Sequence, residues 1–205
     1  MTSPDLSLCT FYLINQPQTL ARLRKELQSA VTDPSQLPSL TRLEDLPFLY
    51  AIIAEILRHT YGLVSRLPRI HTTEAVQLHS QHNGIAIDYL VSPGYPISMT
   101  SVHVHKNPKI FPDPHAFFPE RWLDSKGNRR KDLDKYFLSF SKGTRQCLGI
   151  NLAYAELYIC IAAIVLRMGD RLDLYETTRE DVEVARDVFA MRPKKESKGI
   201  RVLVR

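Results

Sequence analysis

The chain has 205 residues, of which 44% are hydrophobic and 24% are charged, and its formal net charge is +5 at pH 7. Length and composition fit one globular domain of ordinary size and exclude wholesale disorder, a collagen-like fibre and a coiled coil. The mild positive charge suits an acidic protein partner or an anionic cofactor, and it is too small to indicate a nucleic-acid partner by itself.

Helical periodicity dominates the first 60 residues. Apolar residues between Leu6 and Ile14 predict a first helix that ends before Pro17. Leucines at every third or fourth position predict a second helix over 18–30. After a loop rich in proline and serine, an apolar face predicts a third helix over 46–60.

Strand-like alternation and turn signals mark the middle of the chain. Short strands are predicted within 78–104, because the dipeptides Asn-Gly at 83–84 and Pro-Gly at 93–94 favour turns between them. The four prolines of 107–122 predict ordered coil or isolated turns.

The last third of the chain combines one long helix, predicted over 148–168, with alternating segments at 182–190 and 200–204 that indicate a small antiparallel sheet. The predicted fold class is α+β, mainly α, in a single domain over 1–205. The most apolar run, 159–166, has eight residues, whereas about 20 are needed to span a bilayer. Because the start of the chain also lacks a signal peptide, neither an anchor helix nor secretion is expected.

Three cysteines are present, at Cys9, Cys147 and Cys160. Their odd number and the absence of Cys-x-x-Cys spacing argue against a disulfide scaffold and a zinc site, and they favour a reducing compartment. Cys9 and Cys160 fall in predicted helices and are interpreted as small core residues.

Cys147 lies in the segment FSKGTRQCLG (140–149), at the predicted start of a long helix. Three interpretations are open: a buried structural cysteine, a catalytic nucleophile, or a thiolate ligand to a metal or haem. The ligand is favoured, because the helix start and Arg145 stabilise an anion, while Gly143 and Gly149 allow a close approach of the backbone.

Glu55 and Arg58 lie one turn apart on the predicted helix 46–60. They form either an ordinary surface ion pair or, since the helix is very apolar, a buried pair that needs further partners. Arg121, after the proline-rich stretch, is the candidate third member.

Together, the segments EILR (55–58), FPDPHAFFPERW (111–122) and FSKGTRQCLG (140–149) resemble the C-terminal part of a cytochrome P450, a haem-thiolate monooxygenase. The resemblance extends through the whole chain. The stretches YGLVSRLPRI and SPGYPISMTSVHVHKNP are most similar to fungal members of secondary metabolism.

The resemblance implies roles around haem b. Cys147 would be the axial thiolate ligand of the haem iron, and the amides of Leu148 and Gly149 would hydrogen-bond its sulfur. Phe140 would pack beside the ligand, and Arg145 would bind a haem propionate. Gly143 belongs to the same cofactor-binding segment.

Further roles are implied outside this segment. Arg66 is a candidate for a second propionate contact, and His105 is a weaker one, with a surface-loop histidine as the alternative. His103 and His105 lie two apart in a predicted strand, without the further ligands that a metal site needs.

Glu55, Arg58 and Arg121 would form the structural triad of the family. Leu63, Val64 and 188–191 correspond to substrate-lining positions, or else to ordinary core.

Electrons would come from NADPH through a flavoprotein reductase. A basic cluster at Arg129, Arg130, Lys131 and Lys142 is either the docking patch for this partner or a solvated basic loop. A nucleic-acid partner is not expected, because no aromatic residues alternate with the basic ones.

Family members are more than twice as long as this chain. The similarity places Met1 at the threonine of the oxygen-activating helix, with Thr2 as a poor substitute, so the distal half and the membrane anchor are expected to be missing. Two functions follow: a monooxygenase that inserts one oxygen of O2 into an apolar organic substrate, or a truncated, non-catalytic fragment or interaction module with weak or no haem binding. The family is typically located at the endoplasmic reticulum membrane, whereas a chain without an anchor would be cytoplasmic or of unknown location.

Overall fold

A computed structural model describes residues 2–31, 33 and 36–205, apart from the side chains of 82, 190 and 191. The chain forms two compact units. The main unit comprises Met1–Val64 and Ser101–Arg205, and the hairpin unit comprises Ser65–Thr100.

The main unit is built on helices, and the long helices predicted from periodicity are all present. Two of them begin at a proline, Pro17 and Pro47, because the first residue of a helix needs no N–H partner and the ring fixes a helical φ. The helices of the described residues are α1 Thr2–Asn15, α2 Pro17–Ala30, α3 Leu40–Glu44, α4 Pro47–Thr60, α5 Ser101–His105 and α6 Ile150–Met168.

Helix α4 is the centre of the core. Every side chain from Phe48 to Thr60 is buried, and α1, α2, α3 and α6 pack against it. Leu49, Ile52 and Ile56 have no exposed surface. Burial of so much apolar area is the main stabilising contribution to this unit.

The strands are short and antiparallel, as predicted. In the hairpin unit, Asn83 and Gly84 have φ angles of 51° and 78°, which is the conformation of a two-residue type I′ turn. The pairs are β1 Arg69–Ile70 with β4 Pro96–Ile97, β2 Val76–His82 with β3 Ile85–Val91, β5 Leu172–Leu174 with β8 Val202–Val204, and β6 Arg186–Val188 with β7 Ala190–Arg192. The fold class is therefore α+β and mainly α.

Several boundaries differ from the sequence prediction, three of them near the candidate site or in the tail. The segment Ser101–His105 is helical and not a strand, although its valines and histidines alternate. Tertiary contacts decide here, since the Ser101 hydroxyl donates to the Tyr61 carbonyl at 2.9 Å. Helix α6 begins at Ile150, two residues later than predicted, because Gly149 is its N-cap. In the tail, residues 182–185 form turn and coil after the 3₁₀ turn Arg179–Asp181, and the strand begins only at Arg186.

Helix α6 is long and apolar enough to cross a membrane by length and composition, with a mean hydropathy of 1.6. The sequence prediction missed this, because it considered only the eight-residue run 159–166 and not the leucines, alanines and tyrosines of 150–158 that precede it. Core helices meet the same criterion. Leu157, Ile161 and Val165 of α6 are buried in the main unit, where the helix packs against α1, α2, α3 and α4.

Candidate functional site

The ligand loop, residues 139–149, connects the coil to helix α6 and carries Cys147. Its ends are joined by a hydrogen bond from the Cys147 N–H to the Phe140 carbonyl, at 2.9 Å. Positive φ angles at Ser141 (60°) and Gly143 (76°) let the chain reverse between them. The loop therefore fixes Cys147 half-buried, just before the N-cap of α6.

The start of α6 favours a negative charge at this point. The first N–H groups of an α-helix have no partner within the helix, and the helix dipole adds partial positive charge there. Cys147 precedes the N-cap residue Gly149 by two positions. The fold therefore places the Cys147 side chain beside the positive end of helix α6.

A cavity of about 560 Å³ opens beside the ligand loop, within the main unit. Its size falls within the range of small-molecule and cofactor pockets. It is bounded by α1, the end of α4, the ligand loop and the start of α6. The lining residues are Thr2, Ser3, Pro4, Asp5, Leu57, Thr60, Gly62, Ser139, Phe140, Cys147, Gly149, Leu152, Ala153, Glu156 and Arg192.

The residues present fit a haem group. A Cβ atom added at Gly143 or Gly149 would meet no atom within 4 Å, so protein packing leaves open space at both glycines. Among the described residues no group of three or more His, Cys, Asp or Glu side chains could hold a metal ion. A single cysteine beside an open cavity would suit haem iron, because the macrocycle supplies most of the other ligands.

Gly62 holds the ligand loop against the end of α4. Its φ is +68°, and a Cβ atom there would lie 2.0 Å from the carbonyl oxygen of Ser139. Only glycine allows this approach. The Ser139 hydroxyl also donates to the Leu57 carbonyl at 2.8 Å, which fixes the first residue of the loop to α4.

Glu55, Arg58 and Arg121 lie in direct contact. The Arg58 guanidinium donates to both carboxylate oxygens of Glu55, through Nε at 3.0 Å and Nη2 at 2.8 Å. Arg121 Nε donates to Oε1 of Glu55 at 3.1 Å. Glu55 and Arg58 have no exposed surface, so the surface-pair alternative is wrong. The role of the three residues as the structural triad of the family remains a prediction.

The contacts of this cluster bind the proline-rich coil to α4. Trp122 Nε1 donates to Oε2 of Glu55 at 2.9 Å, and the Phe118 N–H donates to Oε1 at 3.0 Å. Arg58 Nη1 donates to the Pro114 carbonyl at 2.8 Å. Burial raises the pKa of Glu55, but hydrogen bonds from Arg58 and His59 outweigh it, so the pKa lies below its usual range.

His105 connects this cluster to the ligand loop. Its carbonyl accepts from Arg58 Nη1 at 2.9 Å, and its Nε2 accepts the Leu138 N–H at 3.0 Å, just before the loop. The side chain has no exposed surface, so the alternative of a surface-loop histidine is wrong. Burial and the Arg58 charge lower the pKa of His105 to about 4. A propionate contact remains a prediction, and only Nδ1, buried and without a partner among the described residues, is left for it.

Arg145 and Arg66, the other two predicted propionate contacts, are both exposed. Arg145 is exposed in the turn Gly143–Arg145, and its side chain does not line the cavity. Arg66 is exposed in the hairpin unit. Their propionate contacts remain predictions. Val64 is 93% buried in a small apolar cluster with Tyr61, as the core alternative predicts.

Two predicted positions fall outside what the structure describes. Met1 is not among the described residues, and in the segment 188–191 the side chains of 190 and 191 are not described. Val188 is exposed on β6.

Sequence reasoning missed polar residues of the cavity wall, among them Asp5, Thr60, Glu156 and Arg192. The Thr2 hydroxyl donates to Oε2 of Glu156 at 2.7 Å. Asp5 could have been found, because it interrupts the apolar face of α1. The others lie far apart in sequence, so only the fold brings them together.

The basic cluster is largely paired with nearby acceptors. Arg129 forms an ion pair with Asp134 at 3.1 Å and stacks over the Tyr50 ring at 3.9 Å. Arg130 pairs with Asp132, and Lys142 donates to the Asp134 carbonyl. Lys131 is exposed. The cluster therefore carries less free positive charge than its sequence suggests.

Comparison with known proteins agrees with the geometry. The cytochrome P450 family model matches residues 2–197. The chain is 40% identical over 203 residues to cytochrome P450 monooxygenase MO6277 of Ascocoryne sarcoides, covering 98% of this chain and 37% of that protein. It is also 40% identical to cytochrome P450 monooxygenase sdnE of Sordaria araneosa, over 97% of this chain and 37% of that protein. The identity to tryptophan 6-hydroxylase fscE of Fusarium equiseti is likewise 40%, over 99% of this chain and 38% of that protein.

The chain belongs to the cytochrome P450 family. The similarity to fungal monooxygenases of secondary metabolism, predicted from the sequence, is confirmed. The chain spans less than two-fifths of the length of these relatives.

Proposed function

We propose that the chain binds haem b with Cys147 as the axial thiolate ligand, in a protein that inserts one oxygen of O2 into an apolar organic substrate. The observation that carries this proposal is the position of Cys147, half-buried at the wall of a cavity of about 560 Å³. When bound, the haem would supply activation of O2 with two electrons.

The residues of the ligand loop would hold the haem. Cys147 would supply the thiolate, stabilised by the amides at the start of α6. The ring of Phe140 lies 5.3 Å from that of Tyr154 and would fix the side of the pocket. Gly143 and Gly149 would leave room for the flat macrocycle.

The buried cluster around Glu55 would position this loop. Arg58 donates to the carbonyl of His105, whose imidazole accepts the Leu138 N–H just before the loop. A displaced Cys147 would weaken ligation, since metal sites depend on the contacts that orient their ligands. Glu55, Arg58 and Arg121 are therefore proposed as positioning residues.

The substrate class is proposed from the cavity and from the relatives. Leu57, Leu152 and Ala153 supply apolar lining. One relative is named a tryptophan 6-hydroxylase, and several others are named monooxygenases. An apolar organic molecule of moderate size is the proposed substrate of the whole protein.

The electron donor is proposed to be a flavoprotein reductase that uses NADPH. Lys131 and Lys142 are exposed and form no ion pair among the described residues, and Lys131 is proposed to contribute its charge to docking. Lys131→Glu is expected to raise the reductase concentration needed for half-maximal reduction about fivefold, with a weaker effect at high salt. Lys25→Glu, on the exposed face of α2, is the matched control. Equal effects of both variants would contradict the docking site.

A haem titration tests the proposal directly. Wild-type chain is expected to take up one haem per chain, and Gly149→Val is expected to remain folded, with a melting temperature only slightly lowered by the loss of a glycine N-cap, but to take up much less haem. The valine side chain would fill the open space, and the Gly149 φ of −86° tolerates a side chain. Absence of saturable uptake by the wild type would support the alternative of a non-catalytic module.

A further inference from the structure

A smaller cavity of about 100 Å³, which we call the Tyr12 pocket, lies within the main unit. It shares no lining residue with the cavity beside Cys147, so a haem bound there would not occupy it. Sites for drug-sized ligands measure about 300–1,000 Å³, whereas this pocket has room for a small ion or for several water molecules. The wall of the Tyr12 pocket includes Tyr12, His59, Lys106, His115, Arg179 and Glu183.

Tyr12 contributes a buried hydroxyl to the wall of this pocket. The residue is 6% exposed, and its ring stacks on that of Phe117 with centroids 4.3 Å apart, so the hydroxyl is held in place. Arg179 interacts with the Tyr12 oxygen, but a guanidinium can only donate, so the hydroxyl hydrogen has no acceptor among the described residues. Burial raises the pKa of Tyr12, which keeps the hydroxyl protonated at neutral pH. A buried donor without an acceptor is costly, so an acceptor from outside the chain would be stabilising.

The Tyr12 pocket also contains more positive than negative charge. Arg179 pairs with Glu183 through Nε and donates to the His115 carbonyl through Nη2 at 3.1 Å, which uses two of its five N–H donors. Lys106 forms no ion pair within the described part of the chain, and its ammonium lies 5.4 Å from the centre of the Tyr61 ring. Two cations against one carboxylate favour an anion in this pocket.

We propose that the Tyr12 pocket binds a small oxyanion through the Tyr12 hydroxyl, Arg179 and Lys106. The oxyanion is either free inorganic phosphate or the phosphate group of a larger molecule, and both offer the same acceptor oxygens. Hydrogen bonds from hydroxyl, guanidinium and ammonium donors to such a group are charge-assisted and strong. Because Lys106 and Arg179 are exposed, the anion can enter from solvent.

A bound oxyanion would join separate parts of the main unit. Tyr12 lies on α1, Lys106 follows α5 directly, and Arg179 begins the 3₁₀ turn of the tail. Binding to the folded chain alone would therefore raise its stability. The inference goes beyond the proposed haem function and does not depend on it.

Thermal melting of the purified chain at increasing concentrations of inorganic phosphate tests the proposal, with the ionic strength held constant by sodium chloride. The wild type is expected to show a rise in melting temperature that saturates. Glycerol 3-phosphate is the second probe. An equal rise with both probes identifies the phosphate group of a larger molecule as a ligand that fits, and a rise with inorganic phosphate alone identifies the free ion.

Two variants identify the groups that bind the anion. Tyr12→Phe is expected to melt no lower than the wild type without phosphate, since it loses only an unpaired hydroxyl, and to need about tenfold more phosphate for the half-maximal rise. Lys106→Gln is expected to need about fivefold more. Lys109→Gln changes an exposed lysine three residues further on, outside the pocket, and is the matched control with an unchanged phosphate dependence.

Several outcomes would overturn the proposal. One is a wild type without a saturable rise, because the general salt effect of phosphate does not saturate and stabilises every variant equally. Another is a phosphate dependence that is unchanged in Tyr12→Phe or in Lys106→Gln. A Tyr12→Phe chain that melts below the wild type without phosphate would show that the hydroxyl hydrogen already has an acceptor. A saturable, Tyr12-dependent rise in a chain that takes up no haem would support the oxyanion site and contradict only the proposed haem function.

Discussion

Glu55 has no exposed surface, and five hydrogen bonds reach its two carboxylate oxygens. They come from Arg58, Arg121, Trp122 and the Phe118 N–H, so the buried charge is fully paired. A satisfied network of this kind rigidifies a core, whereas removal of one partner leaves the others buried without compensation.

Glu55→Ala is therefore expected to lower the free energy of unfolding by about 3–5 kcal/mol, because it leaves two guanidinium groups unpaired. Denaturant unfolding would measure the change. Glu120→Ala is the matched control, since Glu120 pairs with Arg22 in a partly exposed position, and it is expected to cost about 0–1 kcal/mol. Similar losses in both variants would contradict the importance of burial.

Asp5 is expected to make stability fall as the pH rises. Its folded pKa of about 6 lies above the ordinary value of 3.8, so the folded state holds the proton more tightly. The resulting stabilisation is present below pH 4 and is lost as the pH passes 6. Asp5→Asn should therefore be more stable than wild type by about 3 kcal/mol at pH 7. Equal stability of the wild type and Asp5→Asn at pH 7 would contradict the raised pKa of Asp5.

His105 has the opposite effect. Its folded pKa of about 4 lies below the ordinary value of 6.5, so the unfolded state binds the proton first. Stability is therefore full above pH 6.5 and falls by about 3 kcal/mol as the pH drops to 4. In the Asp5→Asn variant, the loss of stability towards low pH caused by His105 should appear without the opposing pH dependence of Asp5. A flat stability profile of that variant between pH 4 and 6.5 would contradict the prediction.

At the scale of elements, the junction between α4 and the ligand loop depends on Gly62. Gly62→Ala is expected to destabilise the chain by more than 3 kcal/mol and to abolish haem uptake, because its Cβ would lie 2.0 Å from the Ser139 carbonyl oxygen. Gly127→Ala is the control, with φ +83° but no atom within 4 Å, and should cost about 1 kcal/mol. A Gly62→Ala chain that takes up haem normally would contradict this account of the junction.

The elements predicted best from sequence are those with long apolar periodicity. Helices α2 and α4 were predicted to within one residue, because their buried faces repeat every three or four positions. Helix α5 was missed, because VHVH alternates as a strand does, whereas in the folded chain the His105 carbonyl accepts from Arg58 of α4 and the His105 ring accepts the Leu138 N–H. Short segments of this kind are decided by tertiary packing and not by local pattern.

The candidate site was predictable in part. The sequence singled out Cys147, Glu55 and Arg58, because glycines, a basic residue and helical spacing mark them locally, and their roles in the site remain predictions. The position of His105 between Arg58 and Leu138 could not be found, since it joins segments more than 30 residues apart. The cavity lining from α1 and α6 likewise exists only in the folded chain.

At the scale of the whole molecule, the main unit holds the ligand loop, the Glu55 cluster and the cavity in one core, although the chain spans less than two-fifths of its relatives. Large apolar side chains remain exposed on and next to α6, among them Leu148 and Leu152. Leu152 lines the cavity, so a bound group would cover part of this surface.

The ligation of haem by Cys147 is the central claim, and the absorption spectrum of the reduced, CO-bound chain tests it most directly. The wild type and Cys160→Ser, which changes the other half-buried free cysteine, are expected to show the long-wavelength Soret band of thiolate ligation. Cys147→Ala is expected to lose that band. A Cys147→Ala chain with an unchanged spectrum, or a haem-loaded wild type without the band, would contradict the assignment.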